Sequence, residues 1–364
     1  MPKADATHFA SEGPLRTQMA KAQALLKGMT LDQKLSQMLI VEYYGYDYQS
    51  TGLQQMVTQQ YVGGYMYQFS NKNFYPPYDV AANLKAFSDQ AQKDARIPLM
   101  IATDQEGGLV NRLDTFHGAL PSAQVMAEQG NTQYSYQQAA QDAKWMRELG
   151  MNADLAPVVD VNTVPQDILQ DRMFGSDPQT VDTYAGAFLD GLQQNNVIGC
   201  LKHFPGLGAI TSDPHFSLPV VNRSKADLEK FDLAPYRMLI QQKQPAMIMP
   251  TDVLMPAIDP NLPAELSPKA INGVLRGELG YDGVVMTDEL TMDGISAQWS
   301  LPQAAVLAVM AGDDLLEGPS TVDEVTSVIA ALKQAIQDGR LSVARIDQSV
   351  TRILLMKMQY GIIH

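Results

Sequence analysis

Apolar and β-branched runs alternate with amphipathic stretches along the whole chain. Eight runs have the length and composition of buried strands, and they begin at Leu39, Val62, Leu99, Met151, Val197, Pro245, Asp282 and Gly312. Helical stretches such as YQQAAQDAKWMRELG and VDTYAGAFLDGLQQNN lie between them, several ending in Gly or Asn as helix C-termini prefer. This alternation predicts parallel strands joined by crossover helices, and eight strands are what a closed barrel requires.

We therefore predict the α/β class, with a single (β/α)8 TIM-type barrel and extra helices at its N-terminal and C-terminal ends. The segment up to about Lys34 is expected to form one extra helix with Thr30 as an N-cap, and the last helix is expected from about Ser342 to Tyr360. Because strands and helices alternate to the end, residues 1–364 are expected to form one catalytic domain.

The composition is that of a globular protein with a large core, since 45% of the residues are hydrophobic and 18% are charged. The net charge of −14 argues against nucleic acid as a partner, because phosphate binding needs clustered Lys and Arg. Cys200 is the single cysteine, so we expect no intrachain disulfide and no cysteine-based metal site. The histidines show no HExxH-type spacing, and we expect neither a metal nor another cofactor.

The chain has no run of eighteen consecutive apolar residues, and its N-terminal stretch has no apolar run of signal-peptide length. We therefore expect no membrane partner, and we expect a monomeric, cytoplasmic protein. The alternative is a secreted protein whose leader has been removed.

Polar residues recur at the ends of the predicted strands, where the reaction site of a β/α barrel lies. Asp104 ends the third strand, Asp160 lies on the fourth, Lys202 and His203 lie on the fifth, and Asp288 ends the seventh. Taken singly, each also suits the N-cap of the following helix. Their recurrence on successive strands indicates a site.

Several segments, in order along the chain, resemble glycoside hydrolase family 3: DQEGGLVNRL, NADLAPVVDVN, RMFGSDPQTV, KHFPGLGAITSDPH and LPAELSPKAINGVLRGELGYDGVVMTDELTMDGI. The likeness runs from MTLDQKLSQML near Met29 to the last helix and is greatest to the single-domain β-N-acetylglucosaminidases. An ordered series is far more specific than a lone DQEGG. The resemblance implies a cofactor-free, retaining β-N-acetylhexosaminidase that hydrolyses terminal β-linked N-acetylglucosamine (GlcNAc) from small carbohydrates.

The resemblance also implies a role for particular residues. Asp288 matches the family nucleophile, whose carboxylate forms a covalent glycosyl-enzyme. His215 matches a general acid/base on a mobile loop, with Asp213 as its partner, and an imidazole suits proton transfer near neutral pH. The residues that match sugar-holding positions are charged or forked donors and acceptors: Asp104, Arg112, Arg172, Lys202 and His203.

The sequence departs from the usual family pattern at three positions. Leu109 stands where arginine is usual, Leu207 interrupts the common GHG, and Asp252 stands where histidine is usual. The two leucines are expected to affect loop packing or an outer subsite. Asp252 is expected to place an extra carboxylate beside the pocket and to change the charge that the sugar meets.

Other activities remain open at this point. A β-glucosidase or β-xylosidase of the same family usually places its acid/base carboxylate on a further domain. A phosphorylase is a second alternative, because a histidine acid/base admits phosphate where a carboxylate repels it, and the sequence does not separate water from phosphate as acceptor. A non-catalytic sugar-binding barrel needs neither Asp288 nor His215, so their presence argues against it. Cell-wall fragments and chitin oligomers are candidate substrates by analogy only.

Overall fold

Eight parallel strands close into a barrel within residues 7–68, 70–165 and 168–364, which the computed structural model describes. Each strand pairs with the strands before and after it in the chain, and the last pairs with the first. Each predicted run contains one of them, so the barrel prediction is confirmed. The strands are β1 (Leu39–Val41), β2 (Gly64–Tyr67), β3 (Met100–Thr103), β4 (Ala153–Asp154), β5 (Ile198–Phe204), β6 (Met247–Pro250), β7 (Val284–Glu289) and β8 (Leu315–Glu317).

Helices surround the barrel and connect successive strands. Two helical segments have π geometry, Leu228–Asp232 and Lys269–Glu278. The α-helices are α1 (Thr7–Lys27), α2 (Leu31–Gln37), α3 (Leu53–Thr58), α4 (Ala81–Asp94), α5 (Asp114–His117), α6 (Ala123–Glu128), α7 (Thr132–Glu148), α8 (Pro178–Gln193), α9 (Lys225–Asp227), α10 (Leu233–Lys243), α11 (Asp293–Ser296), α12 (Leu301–Ala311), α13 (Val322–Gln337) and α14 (Val343–Gln359).

The N-terminal segment differs from its prediction, because it forms two helices where one was expected. Thr30 begins α2 with a capping box, in which its hydroxyl accepts from Gln33 N–H and the Gln33 side chain accepts from Thr30 N–H. A capped start at Thr30 separates α2 from α1, which ends at Lys27. The part of this prediction that concerns residues 1–6 lies outside the described residues. The predicted last helix is confirmed as α14, with Ser342 as its N-cap.

The fourth strand is shorter than the sequence indicates, since regular pairing covers only β4. Pro157 follows closely and has no N–H to donate to a strand ladder. The chain nevertheless continues beside β5, because Val159 N–H donates to Lys202 O at 2.7 Å and Cys200 N–H donates to Ala156 O at 2.8 Å. Asp160 is therefore carried to the mouth of the barrel by an extended segment rather than by a strand.

A short antiparallel hairpin follows β3 and pairs Gln105–Gly107 with Val110–Asn111. Gln105 is its buried centre: its N–H donates to Asp154 Oδ1 at 2.9 Å, its side chain donates to Asn111 Oδ1 at 2.6 Å, and Leu113 N–H donates to its carbonyl oxygen Oε1 at 3.0 Å. Gly107 has a φ of 88°, and a Cβ there would collide with the carbonyl of Pro121. The hairpin therefore has one fixed position at the mouth.

The barrel strands are buried along their length, apart from the last two residues of β7. Burial on both faces is typical of parallel strands covered by helices. Among the helices that the structure describes, none combines the length and the apolar content that a bilayer span requires.

Lys357 of α14 lies fully inside the protein at the N-terminal end of the barrel. Its Nζ atom lies within hydrogen-bond distance of the carbonyl oxygens of Gly63, at 2.7 Å, and Pro98, at 2.8 Å, and of Gln37 Oε1, at 3.3 Å. These acceptors are all neutral. Burial therefore lowers the pKa of Lys357 from 10.5 to about 7.

This buried amine predicts a stability that depends on pH. Between pH of about 7 and 10.5 the unfolded chain binds a proton at Lys357 that the folded protein lacks, so the free energy of unfolding rises with pH in that window. Lys357→Met removes this contribution. Urea titration at several alkaline pH values gives the free energy of unfolding of the parent and of Lys357→Met. We expect the parent value minus the variant value to increase with pH. A difference that stays constant would contradict the proposed neutral lysine.

Candidate active site

A cavity of about 230 Å³ opens at the end of the barrel where the C-terminal ends of the strands meet. Asp104 directly follows β3, Lys202 and His203 lie in β5, and Asp288 lies in β7. The cavity is lined by each of the residues assigned to the site from sequence: Asp104, Arg112, Arg172, Lys202, His203, Asp213, His215 and Asp288. The barrel topology therefore brings the whole predicted set to one place.

Lys202 is the centre of a buried ion network on one wall of the cavity. Its ammonium lies 2.6 Å from Asp104 Oδ1 and 2.7 Å from Glu106 Oε1. Arg172 binds Glu106 with both Nε, at 2.7 Å, and Nη2, at 2.9 Å. Arg112 completes the network at 3.9 Å from Asp104 Oδ2. Cations and carboxylates alternate, so each buried charge has an opposite partner.

The network keeps its carboxyl groups ionised despite their burial. Burial raises the pKa of Glu106, but Arg172 and Lys202 outweigh it and hold the pKa well below its ordinary value. Burial also raises the pKa of Asp104, but the charges of Lys202 and Arg112 outweigh burial, so the pKa is lower than its ordinary value. For Lys202, burial lowers the pKa, while Asp104 and Glu106 raise it above its usual range. The wall therefore presents charges in fixed positions to the cavity.

His203 is held by a buried carboxylate behind it. Its Nδ1 lies 2.7 Å from Asp160 Oδ2, and Asp160 Oδ1 accepts from Leu207 N–H at 2.6 Å. The other ring nitrogen, Nε2, lies 3.3 Å from Arg172 Nη2, a group that only donates. These partners assign the proton to Nδ1. Asp160, a sequence candidate, thus lies behind the cavity and orients His203.

Asp288 has both carboxylate oxygens held by hydrogen bonds. The hydroxyl of Thr251, which follows β6, donates to Oδ2 at 2.6 Å, and Glu289 N–H donates to Oδ1 at 3.0 Å. The side chain is only half-buried and lines the cavity. Two donors fix the orientation of the carboxylate.

The loop that carries His215 lies at the open side of the cavity. Asp213 Oδ1 accepts from His215 N–H at 2.9 Å and lies 2.7 Å from the ring Nδ1. The imidazole is 60% exposed, in contrast to the buried ion network. Because Asp213 only accepts when ionised, Nδ1 carries a proton and Nε2 is the atom that can exchange one with a bound molecule.

The position and charge of Asp252 differ from what the sequence predicted. It was expected to place an extra carboxylate beside the sugar, but it is fully buried, outside the set of residues that line the cavity. Thr251 Oγ1 lies 3.2 Å from its Oδ1 and also bonds Asp288. Burial, and then the charge of Asp288, raise the pKa of Asp252 to about 9, so it is neutral near pH 7.

Glu265 is a second buried carboxyl group in the same region. It lies in a short 3-10 helix (Ala264–Leu266), and its N–H donates to Thr251 O at 3.3 Å. Burial, and then Asp252 and Asp288, raise its pKa well above the ordinary value. Two buried carboxyl groups with raised pKa values, Asp252 and Glu265, therefore lie in the region of Asp288.

The two leucine departures have different surroundings. Leu207 is buried, lines the cavity and donates its N–H to Asp160, so it contributes to the wall beside His203. Leu109 is 55% exposed and lies outside the set of lining residues. A change at Leu207 would therefore alter the cavity wall. A change at Leu109 would alter only the exposed turn in which it lies.

Several cavity residues were not predicted from sequence. Glu106 stands two residues after Asp104 in the DQEGG segment, and that spacing was the available signal. Glu317 ends β8, lines the cavity and accepts from Gln68 Nε2 at 3.2 Å. Burial raises the pKa of Glu317, and Glu42 and Asp104 raise it further. Its position at a strand end is a signal that sequence reasoning could have used.

A carboxylate at a barrel mouth, an exposed imidazole held by a second carboxylate, and a wall of fixed charges together suit acid/base and nucleophilic chemistry at one cavity. The family model described as the glycosyl hydrolase family 3 N terminal domain matches residues 30–356. The chain belongs to glycoside hydrolase family 3.

Similar proteins carry names consistent with this family. The β-hexosaminidase LpqI of Mycobacterium tuberculosis is 35% identical over 332 residues, which cover 89% of this chain and 82% of LpqI. A β-hexosaminidase of Bordetella avium is 36% identical over 247 residues, which cover 65% of this chain and 69% of that protein.

Solved structures show the same likeness. A family 3 β-N-acetylglucosaminidase from Paenibacillus sp. FPU-7 superposes with a TM-score of 0.86 at 33% identity over 92% of this chain. This chain spans 63% of that longer chain. The M. tuberculosis LpqI structure has a TM-score of 0.82 at 33% identity, covering 90% of this chain and 94% of that one.

The buried proton on Asp252 predicts a pH dependence opposite in sign to that of Lys357. Between 3.8 and about 9 the folded protein holds a proton at Asp252 that the unfolded chain has lost, so this group makes the free energy of unfolding fall as pH rises. Asp252→Asn mimics the protonated shape without titrating. We expect it to unfold at a higher urea concentration than the parent in mildly alkaline buffer, with the gap closing at acidic pH.

Asp293→Asn, at an exposed carboxylate of α11, is the matched control and should leave the pH dependence unchanged. An Asp252→Asn protein with the pH dependence of the parent would show that Asp252 is ionised in the folded state.

Proposed function

We propose that this protein is a retaining β-N-acetylhexosaminidase that removes terminal β-linked GlcNAc through a covalent intermediate on Asp288. The observation that carries the proposal is the presence, in one cavity, of a carboxylate held by two donors and an imidazole held by Asp213. The names of the relatives, β-hexosaminidase and β-N-acetylglucosaminidase, support the choice of sugar.

In the first step, an Asp288 oxygen attacks the anomeric carbon and forms an ester, while the bond to the leaving group breaks. The departing oxygen takes a proton from Nε2 of His215, and the Asp213 carboxylate stabilises the imidazolium that donates it. In the second step, water loses a proton to His215 and attacks the same carbon, and Asp288 leaves as a carboxylate. Two inversions give net retention.

The ion network would hold the reacting sugar in place. Asp104 and Glu106 can accept hydrogen bonds from sugar hydroxyls, while Arg112, Arg172 and Lys202 can donate them. Because each of these charges is already paired, their positions do not depend on the ligand. Binding energy is then available to place the anomeric carbon against Asp288.

The organisation of the whole protein is also a proposal. A single catalytic domain over residues 1–364, a monomeric state and a cytoplasmic location stay predictions from sequence. Cell-wall fragments as natural substrates stay a prediction in the same sense.

Replacement of the nucleophile tests the mechanism. Asp288→Ala should lower the turnover of aryl β-GlcNAc by about three powers of ten or more, because the covalent step is lost, while thermal unfolding changes little. Asp293→Ala, at a nearby exposed carboxylate, should retain activity. A fluorosugar should label Asp288 in the parent enzyme, as read by mass spectrometry of peptides. Labelling of Glu106 or Asp252 would overturn the assignment.

Substrate comparison tests the proposed sugar and acceptor. Aryl β-GlcNAc should be cleaved much faster than aryl β-glucoside or β-xyloside, with the β-anomer as first product by NMR. Added phosphate should neither accelerate the reaction nor appear in the product. A preference for the glucoside, an α-anomeric product, or a sugar phosphate would each replace the proposal with one of the alternative activities.

The leaving group tests the role of His215. An activated aryl leaving group needs little protonation, so His215→Ala should keep much of its rate of glycosyl-enzyme formation, measured as a burst. On a GlcNAc disaccharide, the same variant should lose about two to four powers of ten. Thr211→Ala, at an exposed position in the same loop, controls for loop damage. Equal losses on both substrates would mean that His215 is not the proton donor.

A further inference from the structure

The loops that follow β1 and β2 are unusually rich in tyrosine. Nine of the 15 tyrosines of the chain lie between residues 43 and 78. Tyr46 is 43% exposed and lines a cleft, whereas Tyr44 and Tyr75 are exposed outside that cleft. Exposed aromatic side chains that line a cleft are candidates for contact with a ligand. Both loops leave the C-terminal ends of their strands, so this surface lies at the same end of the barrel as Asp288.

The side chains of two buried asparagines connect these loops by hydrogen bonds. Asn71 accepts from Gln68 N–H at 2.6 Å and donates to the carbonyl of Tyr43. Asn73 accepts from the Tyr43 hydroxyl at 2.7 Å and donates to Tyr46 O at 3.1 Å. Gln68 lines the catalytic cavity, so the paired loops are continuous with its wall. These hydrogen bonds therefore hold the two loops in one arrangement before any ligand binds.

A cleft of about 430 Å³ lies between these loops and α4. The rings of Tyr46 and Tyr78 stack at its edge, with centroids 3.6 Å apart and 12° between their planes. Tyr48 and Phe87 also line the cleft, although both are largely buried, at 4% and 6% exposure. The residues that line this cleft do not overlap with those that line the catalytic cavity, so the two are separate cavities.

The polar lining of the cleft indicates the chemistry of its ligand. Asp47, Gln49 and Asn83 contribute exposed carboxylate and amide groups. Of the described residues that line the cleft, none is a lysine or an arginine, so an anionic ligand is disfavoured. Flat aromatic faces match the C–H faces of pyranose rings, and amides and carboxylates match their hydroxyls. A neutral saccharide offers both C–H faces and hydroxyl groups.

We propose that the Tyr46–Tyr78 cleft is a second saccharide-binding site, which holds a β-linked GlcNAc oligosaccharide outside the catalytic cavity. The choice of GlcNAc rests on the proposed function. The location at the barrel mouth places the bound chain on the face where terminal sugars are removed, so the site would raise the local concentration of chain ends at Asp288.

The test is binding of a β-linked GlcNAc hexasaccharide by titration calorimetry, in an Asp288→Asn background that prevents its hydrolysis. We expect two sites. Tyr46→Ala and Tyr78→Ala should each weaken the second site by about tenfold or more, since an aromatic face is lost, and leave the other unchanged. The same replacements in the active enzyme should leave hydrolysis of small aryl β-GlcNAc within about twofold of the parent.

Tyr44→Ala and Tyr75→Ala are matched controls, because both tyrosines are exposed in the same loops and lie outside the cleft lining. Equal weakening by controls and test variants, or a single binding site in the parent, would overturn the proposal. Thermal unfolding and aryl hydrolysis report whether each variant folds. Failure of the parent to hydrolyse aryl β-GlcNAc would instead reject the proposed function, and hexasaccharide binding that depends on Tyr46 would still support the cleft.

Discussion

Closure of eight short parallel strands into a ring is the constraint on which the other features of this protein depend. Each strand bonds two neighbours, and all run in the same direction, so their C-terminal ends must meet at one mouth. Asp104 follows β3, and Lys202 and Asp288 lie in the C-terminal halves of β5 and β7, strands that are distant in the chain. Closure brings them into one cavity, while the opposite end is left for stabilising contacts such as those of Lys357.

Burial has opposite consequences for the carboxyl groups around this mouth. Asp104 and Glu106 remain ionised because Lys202, Arg112 and Arg172 lie against them. Asp252 and Glu265 are buried near other carboxyl groups, and burial first and those charges next raise the pKa of both, to about 9 for Asp252. The mouth therefore combines a wall of paired charges with buried carboxyl groups near Asp288 that resist ionisation. A carboxyl group that keeps its proton adds no negative charge beside Asp288.

The rigid and exposed parts of the site have different tasks in the proposed reaction. The ion network and Asp288 are fixed by hydrogen bonds from several strands, which favours one pose of the reacting sugar. His215 lies on an exposed loop and is held by the side chain of Asp213, and its exposure would allow it to meet leaving groups of different shape. The Tyr46–Tyr78 cleft would add a contact for longer chains that does not touch the reacting ring.

The barrel, its eight strands, the Thr30 cap, the last helix and the family were all determined by the sequence alone, because strand and helix periodicity and ordered motifs are local properties. Sequence also named eight of the residues that line the cavity, through the family likeness. It missed Glu106 and Glu265, and it misjudged Asp252, which was expected to carry a charge at the pocket. Only the tertiary structure decided these points, since whether a carboxyl group is charged depends on its burial and on the cations beside it, and both are set by chain segments far away in sequence.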